Sequence, residues 1–312
     1  MRAPGWVRMP HDGAVMSEFL GRWSLDLVVL VNLALFAGLY ARGVARVNAT
    51  VPRGCRQRSL MHGRWPLWPT ACTYSGLGLI ALVWLGPMAA WSHTFFWVHM
   101  TQHLVITMAA APLLVLGAPI TLAFRASNPR NRRVLVRVLR SGPVRIATDP
   151  ILTWIGFATV LLGAHFTGFY DWILGNHGSM LAIEQPMFLL VALLYYLPLL
   201  GTNLLAKQPS HPVRLISLGL MMIPEATIGA VIYFSPVVLY EGFDTVRPFG
   251  LQALADQQLS GALMWGLVMT IDSFWMMWVA AEWFTSEERR AHREDAAIEA
   301  DRTAGVSQQG AP

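Results

Sequence analysis

The segment 95–123 contains 29 consecutive residues without a formal charge. At 1.5 Å of rise per residue, an α-helix of this length is long enough to cross a bilayer. Two histidines, His99 and His103, lie near the start of this apolar run. Residues four apart on an α-helix share a face, and lipid offers a polar side chain no hydrogen-bond partner. We therefore expect both imidazoles to face the interior of the protein.

Charged residues are scarce along the whole chain. Of the 312 residues, 13% are charged and 54% are hydrophobic, and the mean hydropathy is +0.45. Soluble domains have nearer to about 25% charged residues, so this composition excludes an ordinary soluble protein. The charges lie in short segments between long apolar runs, which indicates an all-α, polytopic membrane protein. We expect a polar N-terminal arm (1–22), one membrane domain (23–284) and a charged, disordered tail (285–312).

The apolar runs predict seven transmembrane helices. They lie near 24–41, 73–90, 95–123, 151–168, 177–200, 212–238 and 259–284. Of the 23 lysines and arginines, 19 fall in alternate connecting segments, the second, fourth, sixth and eighth. The positive-inside rule then places the N-terminus outside and the C-terminus in the cytoplasm. The arginine-rich segment 125–150 suits an anionic lipid surface better than nucleic acid.

With this topology, several histidines lie at the outer ends of the spans. His165 ends the fourth span and His177 begins the fifth, so both can meet His99 and His103. Neutral imidazole is a common ligand of transition metals, and these four histidines are the predicted metal ligands. The alternative is that they are interior histidines satisfied by hydrogen bonds alone.

The methionine sulfur atoms that are expected near these histidines favour copper. Four methionines share the same half of the bilayer: Met100, Met180, Met187 and Met264. Imidazoles and thioethers without thiolates suit copper, particularly Cu(I), although zinc fits the histidines almost as well. Each methionine can equally be a filler of the bundle core. The two cysteines, Cys55 and Cys72, do not form a thiolate motif.

Three acidic residues lie deep within predicted spans. Glu184, Glu225 and Asp272 must face the bundle interior, because a carboxyl exposed to lipid is energetically costly. Glu225 and Asp272 lie at similar depth on successive helices. We interpret them as a structural polar network, and the alternative is a proton or cation path from the outer site.

The run HMTQHLVITMAAAPLLVLGAP at 99–119 resembles the signature of the CtaG family of cytochrome c oxidase assembly factors. Similar matches extend over WSLD at 23–26, HFTGFYDW at 165–172, YYLPLLGTN at 195–203 and DQQLSGALMW at 256–265. The resemblance implies a seven-helix membrane factor that helps to assemble haem–copper oxidases and provides copper. One position departs from it, since Gln185 stands where some members have a histidine.

The resemblance and the residues together predict a non-enzymatic assembly factor of the bacterial plasma membrane. It would bind copper at the outer face and pass it on. The expected partners are haem–copper oxidase subunits, a copper donor protein and the lipid bilayer, without nucleic acid. Two alternatives stay open. One is a membrane oxidoreductase or haem-binding subunit with histidine axial ligands, and the other is a proton-coupled permease that uses Glu225 and Asp272.

Reporter fusions test the predicted orientation. A reporter fused after Arg137 should report the cytoplasm, and one fused near Asn176 should report the outer compartment, because 19 of the 23 positive residues lie in alternate segments. The measurement is reporter activity in whole cells. A cytoplasmic signal at Asn176 would reverse the orientation.

Overall fold

The computed structural model describes residues 12–51, 60–175, 180–201, 208–243 and 250–309, and within these ranges it is all-helical. The α-helices are α1 (Asp12–Gly21), α2 (Leu27–Ala49), α3 (Leu67–Leu85), α4 (Pro87–Trp91), α5 (Phe96–Leu104), α6 (Ala111–Leu116), α7 (Pro119–Ala126), α8 (Pro129–Leu139), α9 (Gly142–Ala147), α10 (Pro150–Phe166), α11 (Phe169–Gly175), α12 (Gln185–Leu200), α13 (His211–Phe234) and α14 (Ala253–Gln309). Two π-helical segments (Val105–Ala110 and Met180–Glu184) and a 3₁₀ turn (Glu241–Phe243) lie between them.

Among the described residues, six helical stretches are long and apolar enough to cross a membrane. They are Leu27–Ala49, Leu67–Trp91, Phe96–Ala126, Ala182–Leu200, His211–Phe234 and Ala253–Ile298. The shorter apolar helix α10 has 17 residues, the lower limit for a span. The all-α membrane bundle predicted from the sequence is therefore confirmed. The number of seven spans and the orientation stay predictions.

Proline interrupts the third span, and a tryptophan from another helix compensates. Pro112 has no N–H group and cannot donate to the carbonyl of Met108, four residues earlier. The indole Nε1 of Trp275 on α14 donates to that carbonyl at 2.9 Å. The backbone between Val105 and Ala110 is π-helical, and Ala118 before Pro119 has a φ of 50°. The third span is therefore an irregular helix whose backbone is satisfied within the bundle.

Helices α13 and α14 approach each other closely at two glycines. A Cβ atom on Gly261 would lie 2.5 Å from the backbone N of Tyr233. A Cβ atom on Gly229 would lie 2.9 Å from the backbone N of Trp265. Small residues at such positions allow direct backbone packing between membrane helices.

The N-terminal arm packs on the bundle through aromatic contacts. Phe19 of α1 stacks on Trp91 and Trp97, with ring centroids 6.2 and 6.1 Å apart. The guanidinium of Arg22 lies 4.6 Å from the ring centroid of Trp91. The part of the arm that the structure describes is therefore a docked helix.

The C-terminal tail differs from the expectation of disorder, because α14 continues to Gln309. The segment is rich in Ala, Glu and Arg, which favour helix. Arg290 and Glu294, one turn apart, form an exposed ion pair at 3.0 Å. These local preferences extend the helix beyond the apolar part of α14.

The arginine-rich segment forms the short amphipathic helices α8 and α9. No residue of α8 is buried, and Val134 and Val138 are 54% and 50% exposed. Helix α8 therefore combines the exposed apolar side chains of Val134 and Val138 with several arginines. The position of this segment at an anionic lipid surface stays a prediction.

The close approach at Gly261 predicts a sensitive position. We expect Gly261→Ala to destabilise the protein by about 1–3 kcal/mol, since the new methyl group must displace the backbone of α13. Gly266→Ala is the matched control, because a Cβ atom there meets nothing within 4 Å. Thermal unfolding of the purified protein in detergent measures both. Equal midpoints for the two variants would contradict the packing described here.

Candidate metal centre

Polar atoms from four residues converge at one end of the bundle. His103 Nε2 lies 2.9 Å from His99 Nε2 and 3.0 Å from Glu184 Oε1. The same Glu184 oxygen lies 3.3 Å from His99 Nε2. The hydroxyl of Tyr170 lies 2.6 Å from His99 Nε2. We call His99, His103 and Glu184 the HHE cluster, and Tyr170 contacts it through His99.

Local helix geometry explains how these residues meet. His99 and His103 are one turn apart on α5, as the sequence spacing predicted. Glu184 ends the π-helical segment that precedes Pro186, and a second π-helical segment begins directly after α5. A π-helical turn inserts an extra residue, changes the direction in which side chains point, and is frequent at functional sites.

A distant carboxylate fixes the start of the helix that bears both histidines. Phe95, at the N-cap of α5, provides no side-chain cap. Asp256 of α14 accepts hydrogen bonds from the backbone N–H groups of Phe96 (2.8 Å) and Trp97 (3.0 Å). These donors have no partner within their own helix, and the negative charge suits the positive end of the helix dipole. Asp256 therefore anchors α5 against α14.

The HHE cluster is buried among aromatic side chains. His99 and Glu184 are fully buried, and His103 is 5% exposed. The ring of Phe188 packs 4.4 Å from that of His103, and Phe243 packs 5.7 Å from His99. Burial of this kind strengthens the electrostatic interactions inside the cluster.

Glu184 lacks a conventional cationic partner. Lysine and arginine are absent from the segments 96–124, 150–175 and 180–200. Among the described residues, the ion pairs of this carboxylate are those with His99 and His103. Burying a carboxylate is costly unless a positive charge compensates it. A bound cation, or a proton held within the cluster, can supply this compensation.

The distances within the HHE cluster suit a small metal ion. One ligand atom from each residue lies within 4.8 Å of the other two. Tetrahedral coordination at about 2.0–2.1 Å places ligand atoms about 3.3 Å apart. The observed separations of 2.9, 3.0 and 3.3 Å need only small adjustments. Two nitrogens and a carboxylate oxygen form a set that copper and zinc both accept.

A purely structural hydrogen-bond network accounts poorly for these atoms. The two Nε2 atoms face each other and can share only one proton. Among the described residues, the Nδ1 atoms of His99 and His103 and Glu184 Oε2 are buried without a hydrogen-bond partner. Buried polar atoms in a structural network are normally paired, so this cluster has the features of a functional site.

The other predicted ligands fall into two groups. His165 is buried beside the HHE cluster, with its ring 5.4 Å from that of Tyr170. Its Nδ1 donates to the carbonyl of Leu161 at 2.7 Å, which leaves Nε2 as a lone-pair acceptor without a partner among the described residues. His165 is therefore a neighbour of the HHE cluster and not a member. His177 lies outside the described residues.

The methionines lie in or beside the apolar core. Met100 and Met264 are buried in the same hydrophobic cluster, and Met187 packs against it. Both buried methionines also border a small cavity together with His103 and His165. The side chain of Met180 lies outside the part of the chain that the structure describes.

Glu184 is a candidate ligand that the sequence analysis did not assign. It was grouped with Glu225 and Asp272, whereas the structure places it with the histidines. The position that departs from the family resemblance, Gln185, is its neighbour in sequence. Gln185 itself lies between other helices, where its amide accepts from Trp84 Nε1 at 3.3 Å.

Because Asp256 caps the helix that carries both histidines, we expect its replacement to lower the stability of the protein. Asp256→Ala leaves two buried N–H groups unpaired, and we expect a loss of about 1–3 kcal/mol. Asp149→Ala is the control, since Asp149 caps α10 through Ile151 and Leu152 at an exposed position where water can replace it. Thermal unfolding of both variants is the measurement. An Asp256→Ala protein no less stable than the control would contradict the anchoring role.

Comparison with known proteins identifies a family. The family model for cytochrome c oxidase caa3 assembly factors matches residues 38–286. Uncharacterized proteins of Mycobacterium bovis and Mycobacterium tuberculosis are each 27% identical over 299 residues, which is 92% of this chain and 43% of theirs. A Mycobacterium leprae protein is 27% identical over 291 residues, which is 89% of this chain and 42% of its own length. The chain thus spans about two fifths of these curated relatives. No solved structure matches it.

Proposed function

The chain belongs to the family of cytochrome c oxidase caa3 assembly factors, and we propose that it binds copper on the HHE cluster and passes it to the oxidase. The observation that supports this proposal is that His99, His103 and Glu184 lie in one buried site, with their ligand atoms within 4.8 Å of one another. Copper is the cargo in this proposal, and the chemistry is ligand exchange without covalent bond formation in a substrate.

Each residue of the HHE cluster has a distinct role in the proposal. The Nε2 atoms of His99 and His103 supply neutral lone pairs. Glu184 supplies an oxygen ligand and the negative charge that compensates a cation in a dry site. Tyr170 holds His99 by a hydrogen bond to the same nitrogen or yields it to the metal. The aromatic walls keep water from competing for the ion.

Transfer needs a ligand that can take over the ion, and His165 is suitably placed. Its Nε2 is buried, points away from the Leu161 carbonyl that Nδ1 binds, and has no described partner. We propose that His165, and His177 as predicted from the sequence, receive copper from the HHE cluster during release. The direction of transfer is toward the outer face if the predicted orientation holds.

The donor set allows more than one oxidation state. Cu(I) was expected from the nearby methionines. Two imidazoles and a carboxylate also suit Cu(II) and zinc. Copper binding is therefore to be measured under both reducing and oxidising conditions, with zinc as a competitor.

The cellular setting is part of the same proposal. We place the protein in the bacterial plasma membrane, with a copper donor protein and haem–copper oxidase subunits as partners and without an enzymatic activity of its own. The haem-binding alternative is less compatible with the site. The Nε2 atoms of His99 and His103 lie 2.9 Å apart on one helix and cannot occupy opposite faces of one porphyrin.

Copper retention tests the proposal directly. We expect a His99→Ala, His103→Ala protein to lose copper affinity by about tenfold or more, since losing even an outer partner of a ligand costs 10–100-fold. Glu184→Gln should also weaken retention, because it removes the charge at nearly constant volume. His292→Ala is the matched control, since His292 is exposed on α14 far from the cluster. Copper content of the purified proteins is the measurement.

Cells carrying these variants provide the second readout. The oxidase should keep its haem and lack copper in the double-histidine variant, and it should be complete in the His292→Ala control. A folded double-histidine variant that binds copper like the wild type and yields a fully metallated oxidase would overturn the site assignment. Family membership would be unaffected by that result.

A further inference from the structure

A second polar pair lies within the bundle, apart from the HHE cluster. Glu225 of α13 and Asp272 of α14 are 3% and 2% exposed. Helices α13 and α14 pack on each other on both sides of the pair, at Gly229 against Trp265 and at Gly219 against Met276, which brings the two carboxyl groups close together. Two carboxyl groups can hydrogen-bond only when at least one of them carries a proton, because an ionised carboxylate is an acceptor only.

The helix segments that pack around this pair contain neither lysine nor arginine. Helix α13 packs against α14 and α10, and lysine and arginine are absent from 150–166, 215–240 and 253–288. Arg214 begins α13 about three turns away and is paired with Glu282 at 2.8 Å. Two adjacent buried carboxylates without a cation cannot both ionise, so at least one of the two carboxyl groups holds a proton.

Two tyrosine side chains lie near the pair. Tyr195 and Tyr196 of α12 are buried close enough to interact with both carboxyls. The hydroxyl of Tyr195 already donates to the carbonyl of Ser217 at 3.2 Å. Glu225 Oε2 and Asp272 Oδ2 are buried without a hydrogen-bond partner among the described residues. Each carboxyl therefore has an oxygen left to interact with a mobile proton carrier.

A small cavity is bordered by one member of the pair, Glu225, and by His103 and His165. Its volume is about 20 Å³, and a cavity of about 10–15 Å³ is enough for one water molecule. These three side chains offer the polar groups that a bound water requires. The remaining lining is mainly apolar and includes Val268.

We infer that Glu225 and Asp272 form a proton-exchange site, in which one proton bridges the two carboxyls and exchanges through a single water in this cavity. In each exchange the carboxyl O–H bond breaks toward the water, and the water returns one of its own protons. The charge of the pair is unchanged. The inference does not depend on copper binding, because it uses only the carboxyl pair, the cavity and the absence of basic residues.

Infrared spectroscopy of the full-length protein in lipid nanodiscs tests the inference. At neutral pH we expect the carbonyl band of a protonated carboxylic acid, with a downshift after transfer to D₂O. Glu225→Gln and Asp272→Asn should each remove or shift that band. The two substitutions are independent, so one unfolded variant leaves the other to decide. Absence of the band at neutral pH in the wild type, or a band that appears only when Na⁺ is removed, would overturn the inference.

The exchange rate tests the role of the cavity. Val268→Leu enlarges a side chain that borders the cavity and should slow the D₂O shift severalfold. Val279→Leu is the matched control, because Val279 is a buried residue of the same helix that does not border the cavity. Thermal unfolding confirms that both variants fold. Equal exchange rates in the wild type and both variants would show that protons reach the pair by another route, contrary to the inference.

Discussion

Lipid cannot hydrogen-bond a polar group, and this constraint governs the interior of the bundle. The carbonyl that Pro112 leaves without its usual donor is bound by the indole of Trp275. The N–H groups at the start of α5, which have no partner within that helix, are bound by Asp256. In both cases a side chain of α14 completes the backbone of the third span. Helix α14 is thus the element that holds the histidine-bearing helix in place.

The same constraint makes the unpaired atoms informative. Since backbone groups in this bundle find partners, the buried atoms without described partners stand out. They lie at the HHE cluster, at His165, and at the Glu225–Asp272 pair, with Trp154 and Arg214 as further cases. Most are therefore concentrated on the path between the cluster and the middle of the bundle. A protein that handles a cation and protons would need such groups, whereas a bundle built for stability alone would not.

The sequence predicted the parts of this arrangement that depend on local periodicity. Apolar length and the spacing of His99 and His103 led to the membrane helix and to two imidazoles on one face. The role of Glu184 depends on where a π-helical segment turns its side chain, and helical periodicity assumes a regular helix. The anchoring by Asp256 joins residues 160 positions apart. A single sequence provides no local signal for such a pairing.

The bundle contains two polar centres, the HHE cluster and the Glu225–Asp272 pair, and their chemistry differs. The HHE cluster provides candidate ligands and a compensating charge for a metal ion. The proposed proton site is the carboxyl pair, and the cavity lies between Glu225 and His103 of the cluster. His103 takes part in the first and borders the second. A change at His103 therefore affects both centres, whereas Glu184 and Asp272 allow them to be perturbed separately.

X-ray absorption spectroscopy at the copper edge tests the central claim most directly. For copper-loaded protein the account predicts nitrogen and oxygen ligands at about 2.0 Å with the scattering pattern of two imidazoles. The Glu184→Gln protein should show a changed first shell with the imidazole pattern retained. A first shell dominated by sulfur at about 2.3 Å, or an imidazole pattern that persists without His99 and His103, would contradict the account.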